Sequence, residues 1–142
     1  ATRSAIDGEG WLHTGDLACR TSEGNFRITG RLKDMIIRGG ENIYPKEIEE
    51  FLYTHPKVSD VQVIGVPDQQ YGEEIMACVI LKEGETATEE EMRAFVLASM
   101  AKHKVPRYVA FMDGFPTNAA GKILKYKMRE DAVTRLGLTK AD

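Results

Sequence analysis

The sequence predicts a small α+β domain, in which helices pack on a sheet of about three strands, preceded by a β-hairpin. Strand-like and helical patterns alternate along the chain, and neighbouring strand-like runs are placed to pair antiparallel. The chain has 142 residues, of which 42% are hydrophobic and 29% charged. This is the composition of a globular domain, long enough to bury a core of its own.

The first predicted element is the hairpin. Residues 17–20 and 26–29 are short strand-like runs, and the segment between them, Ser22-Glu23-Gly24-Asn25, is typical of a turn. A charged segment, residues 30–34, follows the second strand and is suited to a linker.

The next elements are a strand and a helix. Residues 35–38 form a short apolar strand that Gly39 and Gly40 close. Pro45 is suited to the first turn of a helix, and acidic residues nearby favour its positive end. The apolar side chains at 48, 51 and 52 then form one stripe on that helix.

The second half of the chain predicts three more strands and two helices. The strands are expected at 58–66, 74–81 and 107–112, with a loop over 67–72. Thr88 and Glu91 have the spacing of a capping box and open a helix, and a terminal helix is expected over 122–136. The helix that Thr88 opens carries four residues on one face, three of them apolar: Met92, Phe95, Val96 and Ser99.

Composition also excludes several classes of protein. A net charge of −3 argues against general attraction to nucleic acid or an anionic membrane, so no nucleic-acid partner is expected. Cys19 and Cys78 are isolated, which excludes a zinc ribbon, a redox pair and a disulfide scaffold. The longest apolar run, residues 75–81, is too short to cross a bilayer, and with no signal peptide the expected compartment is the cytoplasm.

Four short motifs each allow a structural and a functional interpretation. Asp16 follows a turn but could also accept hydrogen bonds from a ribose diol, and Arg31 is either solvated or holds a ribose or phosphate. Gly39 and Gly40 make a tight turn or let a ligand approach closely. Lys122 is a surface charge or a catalyst, and the spacing of the preceding glycines does not fit a P-loop.

The segment 102–129 is strongly basic. It holds seven basic side chains and one acidic one, Asp113, and is either a solvated surface or an anion site. Two of its members, Lys104 and Arg107, are candidates to contact the phosphates of a bound ligand. The basic residues are Lys102, Lys104, Arg107, Lys122, Lys125, Lys127 and Arg129.

Singly these motifs are weak, but their order and spacing are specific. They read GWLHTGDL at 10–17, GRLKDMIIRGGENIYP at 30–45 and PTNAAGK at 116–122. Together they resemble the C-terminal end of an acyl-CoA synthetase, a member of the acyl-adenylate-forming superfamily that includes luciferases and peptide-synthetase adenylation domains. The resemblance covers nearly the whole chain and is closest to the fatty and medium-chain branch.

The resemblance implies a domain organisation. Residues 1–31 would be a tail and a hairpin from the end of a large N-terminal domain, residues 32–34 a hinge, and residues 35–142 a small mobile lid. The partners would be that large domain, a carboxylic acid and CoA. Mg²⁺ would be held by ATP and by the large domain. The oligomeric state stays open.

The resemblance also implies residue roles. Asp16 and Arg31 would contact the ribose or phosphate of AMP, and Lys122 would be the adenylation lysine and a candidate for regulatory acetylation. Gly39 and Gly40 would line the tunnel for the pantetheine arm of CoA. The hinge position carries Lys33, where many members have Asp.

The lead interpretation is thus the lid of a ligase that forms acyl-AMP from ATP and a fatty acid and then acyl-CoA. Within it, Lys104 and Arg107 are expected to meet the phosphates of CoA. One alternative is the lid of a peptide-synthetase-like adenylation domain, which would transfer the acyl group to a carrier protein. Another is a module that only binds nucleotide, CoA or nucleic acid.

Overall fold

The computed structural model describes residues 5–139. The predicted hairpin is present: β1 (Asp16–Arg20) pairs antiparallel with β2 (Phe26–Arg31), and Asp16 lies opposite Arg31. Its outer face is apolar and open, since Phe26 is 76% exposed. A single 3₁₀ turn, Leu32–Asp34, then occupies the segment expected to be a hinge.

A second, smaller hairpin follows, of which the sequence predicted only the first strand. Strand β3 (Ile36–Arg38) pairs antiparallel with β4 (Glu41–Ile43). The two residues between them, Gly39 and Gly40, have φ of 55° and 86°. Positive φ at both central positions is the requirement of the commonest two-residue hairpin turn, and glycine meets it without strain.

The main sheet has the order β5-β6-β7. Strand β5 (Val58–Asp68) pairs antiparallel with β6 (Gly72–Leu81), so the loop expected over 67–72 is shorter than predicted. Strand β7 (Tyr108–Phe111) pairs parallel with β6, not antiparallel. The chain crosses over through a helix between these two strands, and a crossover returns it in the same direction.

Helices cover both faces of this sheet. Helices α1 (Pro45–Leu52) and α2 (Glu89–Leu97) bury Ile48, Leu52, Met92 and Val96 on one face. Helix α3 (Lys125–Leu136) buries Met128 and Ala132 on the other. The two faces take alternate residues of β5, as a pleated strand requires, and the predicted α+β fold is confirmed.

Two helix boundaries differ from the sequence expectation. Helix α2 ends at Leu97, so Ser99 lies beyond it, and the Thr88 hydroxyl accepts the Glu91 N–H as the cap. Helix α3 begins at Lys125, which leaves Lys122 in the preceding loop. An isolated antiparallel β-bridge between Thr117 and Ile123 closes that loop, so the helix can begin only after Ile123. No helix between residues 5 and 139 is long and apolar enough to span a membrane.

Candidate active site

Asp16 and Arg31 lie side by side at the base of the first hairpin. Their strand register places them opposite each other, and the Arg31 Nε lies 3.6 Å from the Asp16 Oδ1. Both side chains are partly exposed and line a cleft of about 470 Å³ with Gly30, Asp34 and others. The Asp16 carboxylate therefore keeps acceptor capacity for a ligand hydroxyl.

Lys122 stands at the end of a rigid loop. The Asn118 side-chain oxygen accepts the N–H groups of Ala120 and Lys122, both at 3.0 Å. The Asn118 N–H also donates to the Lys122 carbonyl at 2.9 Å. The loop thus fixes the Lys122 backbone. Its ammonium makes no ion pair or hydrogen bond with any residue in the described part of the chain.

The loop before α3 and the 3₁₀ turn at residues 32–34 form one cleft. It has a volume of about 630 Å³, and Lys122, Lys33 and Asp34 all line it. The basic lining residues are Arg31, Lys33, Lys122, Lys125 and Arg129, against one carboxylate. This excess of positive charge suits a polyphosphate ligand. Because Arg31, Asp34 and Lys125 also line the Asp16 cleft, the two clefts adjoin.

Lys125 is the most firmly held of these cations. Its Nζ donates to the Glu49 Oε1 at 2.6 Å and to the Val63 carbonyl at 3.0 Å. The same Glu49 oxygen accepts the Val63 N–H at 3.0 Å. This contact joins the start of α3 to α1 and β5, and it fixes the wall of the cleft three residues after Lys122.

The Gly39–Gly40 turn lies apart from this cleft and shares no lining residue with it. The Gly39 N–H donates to the Tyr71 carbonyl at 2.8 Å. A Cβ at Gly39 would lie 3.2 Å from the Tyr71 ring, whereas one at Gly40 would meet nothing within 4 Å. The turn is therefore held on one side and open on the other.

Lys104 and Arg107 are each paired with a carboxylate. The Lys104 Nζ lies 2.9 Å from Glu47, and an Arg107 Nη lies 3.1 Å from Asp68. Because Glu47, Asp68 and Glu49 come from other parts of the chain, the segment 102–129 is not the single free basic patch that its local composition indicated. Contact of Lys104 and Arg107 with CoA phosphates stays a prediction.

Sequence reasoning gave Asn118 no role, included Lys125 only among the basic residues of segment 102–129, and included Asp34 only in the expected hinge. Asn in a polar loop before a glycine is typical of a side chain that bonds its own backbone, a signal that could have identified Asn118. The other two belong to the site only through contacts between distant segments.

Neither cysteine lines these clefts. Cys78 is buried between the sheet and α3, and burial raises its pKa to about 11, so it is a neutral thiol at physiological pH. Within residues 5–139 no three His, Cys, Asp or Glu side chains are grouped to hold a metal ion.

The chain is thus an α+β domain with helices on both faces of its main sheet, and it places a loop lysine next to a cleft lined by a carboxylate and an arginine. The chain belongs to the AMP-binding enzyme C-terminal domain family, whose model matches residues 47–122.

Curated relatives extend the similarity to nearly the whole chain. YngI of Bacillus subtilis is 57% identical over 139 residues, and the human mitochondrial medium-chain acyl-CoA ligase ACSF2 is 50% identical over 137. These alignments cover 98% and 96% of this chain but only 25% and 22% of the relatives. The chain thus spans about a quarter of the length of the relatives it matches.

A solved structure has the same fold. ATP-bound MatB from Rhodopseudomonas palustris is 38% identical and superposes with a TM-score of 0.84 over 90% of this chain and 25% of its own. The apo form of the same protein superposes with a TM-score of 0.75 over the same share of this chain.

Proposed function

We propose that this chain is the C-terminal lid of an ATP-dependent acyl-CoA synthetase that acts on a fatty acid, with medium-chain acids favoured. The observation that carries the proposal is the basic cleft in which Lys122 meets Arg31 and the hinge residues. The similarity to a medium-chain ligase over 96% of the chain supports the choice of reaction. The missing three quarters of such an enzyme would supply the acid and adenine pockets.

In the first half-reaction a carboxylate oxygen attacks the α-phosphorus of ATP, and pyrophosphate leaves. Two anions must approach each other, and negative charge builds on the transferring phosphorus oxygens. The Lys122 ammonium, free of a protein partner in the described residues, would lie between them and stabilise the transition state. Asp16 would accept the ribose hydroxyls, and Arg31 would hold the ribose or α-phosphate.

In the second half-reaction the thiol of CoA attacks the acyl carbonyl, and AMP leaves. The lid would turn about residues 32–34, withdraw Lys122 and present the Gly39–Gly40 turn to the pantetheine arm. The open side of Gly40 provides room for that arm. One lid would thus serve both half-reactions in turn. Mg²⁺, which neutralises phosphate charge when bound, would be held by ATP and the large domain.

We infer that the lid is oriented relative to the first hairpin as in the first half-reaction. Lys122 shares a cleft with Arg31, and the match to ATP-bound MatB is better than to its apo form. Both observations support a lid in the adenylation state.

The test uses the full-length parent protein carrying Lys122→Ala. Carboxylate-dependent ATP–pyrophosphate exchange is expected to fall by about 100-fold or more, since a single charge-stabilising group contributes on this scale. Thioester formation from supplied acyl-AMP is expected to persist. Lys127→Ala, a loss of charge on α3 outside the cleft lining, is the control. Full exchange in the Lys122 variant would contradict the proposal.

A further inference from the structure

An ion pair next to the Gly39–Gly40 turn lies outside the Lys122 cleft, since neither of its two residues lines that cleft. The Arg38 Nε donates to the Glu74 Oε1 at 2.8 Å. The Glu74 side chain is only 2% exposed, and that of Arg38 22%. A nearly buried carboxylate at the start of β6 thus fixes the residue immediately before the turn.

Tyr71 and Glu73, which come just before Glu74, contact residues 37–39 as well. The Arg38 guanidinium lies 4.0 Å from the centroid of the Tyr71 ring, and the Tyr71 carbonyl accepts the Gly39 N–H. The Glu73 carboxylate accepts the Ile37 N–H at 2.7 Å. Residues 71–74 therefore bind the side chain or backbone of each residue from 37 to 39.

Stability alone does not account for an ion pair at this place, because an apolar pair of similar size can stabilise a fold as well as a buried ion pair does. An ion pair combined with an aromatic ring also fixes the orientation of the arginine side chain. The Arg38 Nε donates to Glu74 and the guanidinium carbon lies over the Tyr71 ring, so two contacts of different kinds hold the side chain next to the turn.

We propose that Glu74 and Tyr71 are positioning residues for thiol transfer, which act through Arg38 to hold the Gly39–Gly40 turn in the shape that guides the attacking thiol. This rests on the proposed function. Neither residue lines the Lys122 cleft or the Asp16 cleft, so we expect adenylation to be independent of them.

The experiment measures the two half-reactions separately in the full-length protein. Glu74→Gln keeps the size of the side chain and removes the charge that holds Arg38. We expect the rate of thioester formation from acyl-AMP and CoA to fall by about 10- to 100-fold, since small misplacements of reacting groups cost on this scale. The rate of ATP–pyrophosphate exchange should stay within about twofold of that of the unmodified protein, because the turn positions only the thiol and takes no part in adenylation.

A matched pair at Tyr71 tests the stacked ring. Tyr71→Phe keeps the ring over Arg38 and the backbone bond to Gly39, and should retain thiol transfer. Tyr71→Leu removes the ring and should slow thiol transfer alone. Glu89→Gln, which removes one carboxylate from Arg93 on the surface of α2, is the control for loss of an ion pair and should change neither half-reaction.

The outcomes separate this proposal from the proposed function. Equal loss of both half-reactions in Glu74→Gln and Tyr71→Leu would assign these residues a purely structural role and overturn the proposal, as would unchanged thiol transfer in both. If Glu74→Gln does not fold, the Tyr71 pair decides by the same criterion. Absence of exchange in the unmodified protein would instead refute the proposed function.

Discussion

The ion pair between Glu49 and Lys125 allows a direct test of how much a partly buried charge pair contributes to the stability of this domain. The side chains are 14% and 16% exposed, and the charged atoms lie 2.6 Å apart. At an effective dielectric constant of about 20, that distance corresponds to roughly 6 kcal/mol of attraction before the cost of desolvation. Loss of one partner from a buried pair costs about 3–5 kcal/mol, and partial exposure reduces this to about 2–3 kcal/mol here.

Lys125→Met should therefore lower the free energy of unfolding by about 2–3 kcal/mol, because it leaves Glu49 unpaired and the Val63 carbonyl without a donor. The melting temperature should fall by about 10 °C in a chain of this length. Urea unfolding of the 142-residue chain, followed by circular dichroism, measures the loss.

Two further variants decide whether the reasoning is right. Glu50→Gln breaks a more exposed pair with Arg27, of similar length at 2.8 Å, and should cost less than about 1 kcal/mol. Combining Lys125→Met with Glu49→Gln should recover much of the loss, since the Gln oxygen can still accept the Val63 N–H and no charge is left unpaired. If Lys125→Met costs no more than Glu50→Gln, the pair is not effectively buried and the argument fails.

Three further predictions concern the turn, a helix cap and the buried thiol. Gly39→Ala should destabilise the lid by about 1–2 kcal/mol, from the left-handed backbone, and slow thioester formation; stability equal to that of the unmodified chain in urea would contradict this. Thr88→Ala removes the cap of α2 and should cost about 1 kcal/mol by the same measurement, so an unchanged midpoint would show that the cap is not formed. At pH 8, a thiol reagent should modify the exposed Cys19 quickly and leave Cys78 unreacted until the chain unfolds, because burial raises the pKa of Cys78 to about 11; two fast equivalents would refute its burial.

Much of the fold was predictable because its signals are local. Pro45 and the apolar stripe of α1, the β-branched runs of β5 and β6, and the cap at Thr88 all depend on residues within a few positions of each other. The structure confirms each of these elements.

The predicted and observed secondary structure differ where a local sequence pattern competes with a contact to residues further along the chain. Helix α3 starts later than its pattern indicates, since the bridge from Thr117 to Ile123 and the bonds of Asn118 keep Lys122 in a loop. Strand β4 is too short and polar to be recognised alone, and it exists because the Gly39–Gly40 turn pairs it with β3.

The sequence by itself determined the alternation of strands and helices, the turn chemistry and the order of the motifs that resemble adenylate-forming enzymes. Only the tertiary structure decided which charges are paired and which are free. Lys104, Arg107 and Lys125 receive carboxylates from residues 39 to 76 positions away, whereas Lys122 has none among the described residues. Backbone preferences act between near neighbours, but the electrostatic environment of a side chain depends on distances in space, which folding alone sets.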